Sequence, residues 1–181
     1  MKKNIFIVSF IALLLGILFF VLNHLFPNSF FLYLAITFCI IAYHFIIRLI
    51  VGYTVDCIMK NKADYNKRWY RTSKRELSFY KKINVKEWKN KLPSYNKSLF
   101  DTSIHSWNEV IQAMCQAEVV HEVNMIMSLL PILVSIFLGN WVVFIVTSVL
   151  ASLFDYLFVM VQRYNRNRII HSLTFSRERG E

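Results

Sequence analysis

Between Trp141 and Val161 the chain runs for 21 residues with a single charge, Asp155, and then turns polar as QRYNRNR over Gln162 to Arg168. At about 1.5 Å per residue such a run reaches across the roughly 30 Å hydrocarbon core of a bilayer. Three other blocks are comparable. Asn4 to Leu22 carries no charge. Phe30 to Ile47 meets Arg48 and continues raggedly through Gly52 and Asp56 to Met59. A third begins near Val119 and ends at Leu138, with Pro131 inside it. With 56% hydrophobic residues in 181, a water-soluble core could not hide so much apolar surface, and the residues come in blocks rather than with amphipathic periodicity. The reading is an all-α integral membrane protein with one membrane domain. Its spans are expected over 4–22, 30–58, 119–138 and 141–161, with a basic loop over 60–108 holding short amphipathic helices and a tail over 162–181.

A signal peptide is the rival reading of the first block, because Met1-Lys2-Lys3 is a basic leader to an apolar run. No small-residue cleavage site follows, and Phe19, Phe20 and Phe26 stand where one is needed. Gly139-Asn140 leaves almost no loop between the third and fourth blocks, which predicts a tight antiparallel helical hairpin. Pro131 should free a carbonyl inside the membrane for a neighbouring span or a water to satisfy. The 21 Lys and Arg residues fall at the N-terminus, at Arg48, densely from Lys60 to Lys97, and from Arg163 onward; none lies in 23–29 or at 139–140. By the positive-inside rule, both termini and the central loop are cytoplasmic and the number of spans is even.

The formal charge of +10 therefore describes one face. Trp69, Tyr70, Tyr80, Trp88 and Tyr95 are interleaved with the basic residues, a pattern that nucleic acid shares with lipid headgroups. Beside a bilayer, anionic lipid is the favoured partner and nucleic acid is not expected. A phosphorylated ligand such as a coenzyme or carrier fits the same loop. Cys39, Cys57 and Cys115 have no paired spacing, so neither a disulfide nor a metal site is expected. No glycine-rich phosphate loop or nucleophile elbow occurs.

Polar residues that enter the apolar blocks are few. Glu118, His121, Glu122 and Asn124 crowd the start of the third, as AEVVHEVN. On a helix Glu118 lies about 60° from His121 and one turn away, within reach to hold the imidazole ring. An interfacial helix end facing water accounts for the same residues. The hairpin brings this end of the third span to the same face as Gln162 to Arg168. Asp155, Gln162 and Arg166 form one helical stripe, with Asp155 about 10 Å deeper than Gln162. A carboxylate at that depth needs a partner, and Arg48 or His44 on the second span is the expected one, most often as a structural pair. Tyr43 and Tyr53 read as packing residues, and His24 and His105 carry no assignment.

The segment Gln116 to Trp141, QAEVVHEVNMIMSLLPILVSIFLGNW, followed by VMVQRYNRNR, resembles the bacterial CrtO-type acyltransferases, small membrane proteins typified by glycosyl-4,4'-diaponeurosporenoate acyltransferase. That family pattern has an Ala-Glu-x-x-His element and a last span closing on Gln-Arg-Tyr-Asn-Arg-Pro-Arg. The lysine- and tryptophan-rich KKINVKEWKNKLP from Lys81 to Pro93 is similar as well, so the resemblance extends over roughly 68–170. Asn167 stands where the family has Pro, which permits the helix to continue. Glu122 stands where relatives commonly have an aromatic residue.

The resemblance implies transfer of a fatty acyl group to a sugar hydroxyl of a membrane glycolipid, such as a carotenoid glycoside. Such a hydroxyl needs a general base, and His121 is of the right type. Glu118 would orient the ring, and Arg163, Arg166 or the Asn165 amide would stabilise the oxyanion, unless the arginines instead hold donor phosphates. Gln162, Tyr164, Arg168, Glu122, Trp88 and Lys89 are the expected substrate contacts. No cofactor is expected beyond an acyl thioester co-substrate, acyl-coenzyme A or an acyl-carrier protein. Cys115 lies about 120° round the helix from His121, which disfavours a covalent route. Two other classes stay open on the residues alone: a non-catalytic protein anchored to anionic lipid by QRYNRNR, and another small lipid-modifying enzyme such as a methyltransferase.

Overall fold

The computed structural model of the chain describes residues 2–88 and 98–178, and among them there is helix and no strand. The long helices are α1 (Lys2–Leu25), α2 (Ser29–Met59), α5 (Trp107–Leu138) and α6 (Trp141–Glu178). Between them come two short ones, α3 (Lys74–Lys82) and α4 (Val85–Trp88), and 3-10 turns at Arg68–Tyr70 and Ser98–Phe100. The four long helices are each apolar and long enough to cross a membrane, which makes this a multi-pass membrane protein.

Local signals explain the boundaries. Asn28 caps α2 by accepting the Phe30 N–H at 2.9 Å. Ser73 and Glu76 form a reciprocal capping box on α3, and Ser106 with Glu109 repeats the arrangement before α5. Gly139 (φ 70°) and Asn140 (φ 53°) take the left-handed conformation that turns the chain from α5 into α6. All four run past their expected spans, α1 and α2 by a few residues and α5 and α6 by several turns. α5 starts at Trp107, ahead of residue 119, because Val110, Ile111, Ala113 and Met114 on its first turns are buried. α6 continues through the expected tail to Glu178, with no proline inside it to break the helix.

The chain divides into two compact units, Met1–Tyr53 with Val123–Phe154, and Thr54–Glu122 with Asp155–Glu181. In the first, small buried residues such as Ser9, Ala12, Ala35, Ala42, Ser128 and Ser148 permit close helix approach, the means by which helices associate within lipid. A Cβ on Gly16 would come within 2.8 Å of the Cys39 Sγ, so α1 and α2 need glycine there. Pro131 withdraws the donor that would serve the Met127 carbonyl, and the Tyr43 hydroxyl donates to that carbonyl at 2.8 Å. Tyr43 is therefore more than a packing residue. Tyr43→Phe is expected to cost about 1–2 kcal/mol by leaving the carbonyl unpaired, read as a lower thermal midpoint in detergent than Tyr33→Phe gives. Equal midpoints would refute the assignment.

In the second unit Tyr80, Val85, Met160, Val161 and Tyr164 make a buried cluster, and Leu77, Ile83, Trp88 and Leu157 pack on it. It docks α3 and α4 on the later part of α6. Burial pushes the Tyr80 hydroxyl up to about 12. The Gln116 side chain ties α2 to α5, donating to Asp56 at 3.0 Å and accepting the Asn61 N–H at 2.6 Å.

Candidate active site

His121 and Asp155 meet within the second unit. Nδ1 of His121 lies 2.9 Å from Oδ1 of Asp155. The Asp155 side chain is 1% exposed and that of His121 is 22% exposed. The imidazole stacks on Phe158, with centroids 4.5 Å apart and planes 9° from parallel. Ring orientation is thus set from two sides, by a carboxylate in the ring plane and an aromatic face across it. An imidazole whose Nδ1–H is held by a carboxylate presents Nε2 as a proton acceptor, and Nε2 has no hydrogen-bond partner among the described residues. His121 on α5 is thus a partner of the buried Asp155 carboxylate.

Glu118 does not take the role expected of it. Its Oε1 accepts the Arg163 Nε–H at 2.6 Å, and its Oε2 accepts from Nη1 of Arg166. Arg163 also donates to Glu76 at 2.7 Å and to the Trp69 carbonyl at 3.0 Å, and its Nη2 lies 3.6 Å from Glu122. Arg166 donates to the Tyr70 carbonyl at 2.5 Å and lies over the Tyr70 ring, 5.3 Å from its centroid. The Trp69 indole donates to Glu122 at 2.9 Å. Glu118 is 0% exposed and Arg166 1%. Spacing on one helix favoured Glu118 beside His121, but two guanidiniums from α6 outcompete a neutral ring for a buried carboxylate, since charge-assisted bonds are roughly twice as strong.

These contacts form a clasp that fastens the segment around Trp69 to Glu76 to α5 and α6. With every group ionised, two guanidiniums face three carboxylates, Glu76, Glu118 and Glu122, a balance that does not favour a further anion. Burial pushes the Glu76 carboxyl up, but the Ser73 backbone and hydroxyl donors and the Arg163 guanidinium together hold it below the usual carboxylate range. Arg163 thus commits three of its five N–H donors to these contacts, and Arg166 two.

Of the other residues singled out by sequence, Gln162 and Asn165 are half-buried on α6, and their side-chain amides have no hydrogen-bond partner among the described residues. Tyr164 belongs to the buried cluster, and the Arg168 guanidinium lies 5.8 Å from its ring centroid. Trp88 packs on the same cluster, and Glu122 belongs to the clasp. Lys89 lies outside the described residues. Sequence reasoning missed Glu76 and the carbonyls of Trp69 and Tyr70. The Ser73-x-x-Glu76 capping signature was visible, but nothing in it announces the bond to Arg163.

A family model described as CrtO, glycosyl-4,4'-diaponeurosporenoate acyltransferase, matches residues 66–174, more than half of the chain. The chain belongs to this family. It is a membrane acyltransferase, and the matched region contains the His121–Asp155 pair and the whole clasp. No curated protein and no solved structure matches the chain. Within the family frame Cys115 is 0% exposed, which withholds its thiol from an acyl donor. Cys115→Ala is expected to keep transfer within about threefold of wild type at matched protein, a core truncation of modest cost rather than a lost nucleophile. Loss of activity at normal expression would reinstate the covalent route.

Proposed function

We propose that the protein moves a fatty acyl group from an acyl thioester to a sugar hydroxyl of a membrane glycolipid by direct transfer, with His121 as general base. The observation that carries this is the His121–Asp155 contact: a buried carboxylate holding one ring nitrogen and a second nitrogen without a partner among the described residues. Nε2 takes the proton of the sugar hydroxyl as its oxygen bonds to the thioester carbonyl carbon. Asp155 stabilises the imidazolium that forms. The tetrahedral intermediate then collapses, the carbon–sulfur bond breaks, and the imidazolium returns the proton to the departing thiolate.

The carbonyl oxygen gains negative charge in the first step. Gln162 lies one turn beyond Phe158 on α6, and its amide, without a partner among the described residues, is the donor assigned to that charge, with Asn165 as the second candidate. This replaces the arginines in the oxyanion role. The acceptor is a glycolipid, a carotenoid glycoside being the kind that the family description names. The membrane is the bacterial cell membrane with both termini cytoplasmic, a placement supported by the confinement of basic residues to one set of connections. No cofactor takes part beyond the thioester co-substrate.

The reading is tested with the purified protein in lipid nanodiscs, supplied with an acyl-coenzyme A and a panel of glycosylated lipids. A sugar ester whose formation consumes the thioester is the expected product. Thioester consumption without ester formation, across acceptors that reach the bilayer, would overturn it.

A further inference from the structure

The second compact unit holds a cavity of about 310 Å³ whose lining includes Asn66, Tyr70, Arg71, Thr72, Arg166 and Asn167, and no carboxylate. Arg166 is matched in charge by Glu118 behind it. Arg71 is not matched. Its Nε–H donates to the Asn66 carbonyl at 3.2 Å, which fixes the guanidinium at one corner. Its two terminal nitrogens have no partner among the described residues, nor have the Thr72 hydroxyl and the Asn167 amide. A planar fork of donors, a hydroxyl and an amide around a carboxylate-free space is a phosphate-binding set.

The cavity's distance from His121 selects among phosphates. Asn167 lies nine residues beyond Phe158, the ring stacked on His121, and so about 14 Å further along α6. A ligand with its phosphate at the cavity and its acyl carbonyl at His121 must span that separation. In a phospholipid the ester carbonyls lie only a few bonds from the phosphate. In a phosphopantetheine thioester the sulfur stands at the end of a long extended arm.

We propose that this cavity binds the 4'-phosphate of an acyl-phosphopantetheine donor, with Arg71 as its principal ligand and Thr72 and Asn167 assisting. The inference rests on the acyl-thioester reading given above and extends it to the far end of the donor. It assigns the phosphate to Arg71 rather than to Arg163 or Arg166, whose guanidiniums are paired with carboxylates in the clasp.

The test is equilibrium binding of two non-transferable thioethers, S-alkyl phosphopantetheine and S-alkyl pantetheine, to the full-length protein in zwitterionic nanodiscs. Wild type is expected to prefer the phosphorylated compound by about 10- to 100-fold, the range for a charge-assisted hydrogen-bonding set. Arg71→Gln should bind both compounds alike, and Arg71→Lys should recover part of the preference. A wild type without preference, or an Arg71→Gln that keeps it, overturns the proposal. Phosphatidylglycerol in the nanodisc that abolishes the preference by competition also overturns it and gives the cavity to a lipid headgroup. Acyl transfer without a phosphate preference would sink this inference alone. A phosphate preference lost in Arg71→Gln, in a protein that transfers no acyl group, would sink the transferase reading alone.

Discussion

Replacing His121 with glutamine is expected to lower the rate of acyl transfer by about 10²- to 10⁴-fold, the usual contribution of a positioned general base. Glutamine approximates the size and polarity of the ring but cannot take up a proton at neutral pH. The loss should fall on turnover more than on substrate affinity, because the proton moves only as the hydroxyl attacks. Asp155→Asn should fall in the same range. Its amide would leave Nδ1 without a charged acceptor and favour the wrong tautomer. The two substitutions combined should cost little more than either alone, because they disable one unit. An additive double variant would mean that His121 and Asp155 act separately.

The second large effect concerns folding. Glu118 is fully buried and accepts from both Arg163 and Arg166. Breaking a buried ion pair from one side strands the other charge and costs about 3–5 kcal/mol. Against a typical stability of about 5–15 kcal/mol that is a severe loss. Glu118→Gln should reduce the folded protein recovered from membranes and lower its thermal midpoint in detergent sharply. Glu122→Gln, which leaves Glu118 in place between the arginines, should do far less. Had Glu118 instead oriented His121, Glu118→Gln would fold normally and fail only in transfer, so the two readings separate on recovered protein.

The four membrane helices were legible because an apolar run of that length with so few charges has few other physical fates. Their ends were not. Trp107 to Glu118 mixes polar and apolar residues and gives no hydropathy signal, yet Val110, Ile111, Ala113 and Met114 in it are buried. The end of α6 was unmarked because the polar stretch from Gln162 to Glu178 holds neither proline nor glycine to stop the helix.

Within the site, His121 was legible from its type and depth, and the polar stripe Asp155, Gln162 and Arg166 from its spacing. Pairing was harder to read, because spacing along one helix sees only neighbours on that helix. Glu118 is three residues from His121 and looked like its partner, while the arginines that claim it come from α6. The hairpin did contain the missing information. Counting outward from the Gly139-Asn140 turn, Asp155 falls within about one helical turn of the level of His121. QRYNRNR also divides in use: Arg163 and Arg166 fasten the segment around Trp69 to Glu76, and the amides of Gln162 and Asn165 have no partner among the described residues.

The central claim is that this membrane acyltransferase esterifies a glycolipid through His121. Lipid mass spectrometry tests it most directly, on cells deleted for the gene and complemented with wild type or His121→Gln at matched membrane abundance. Wild type should restore a glycolipid heavier by one fatty acyl group, and His121→Gln should leave the unacylated glycolipid to accumulate. Full restoration of the acylated lipid by His121→Gln, or a lipid profile indifferent to the gene, would contradict the claim.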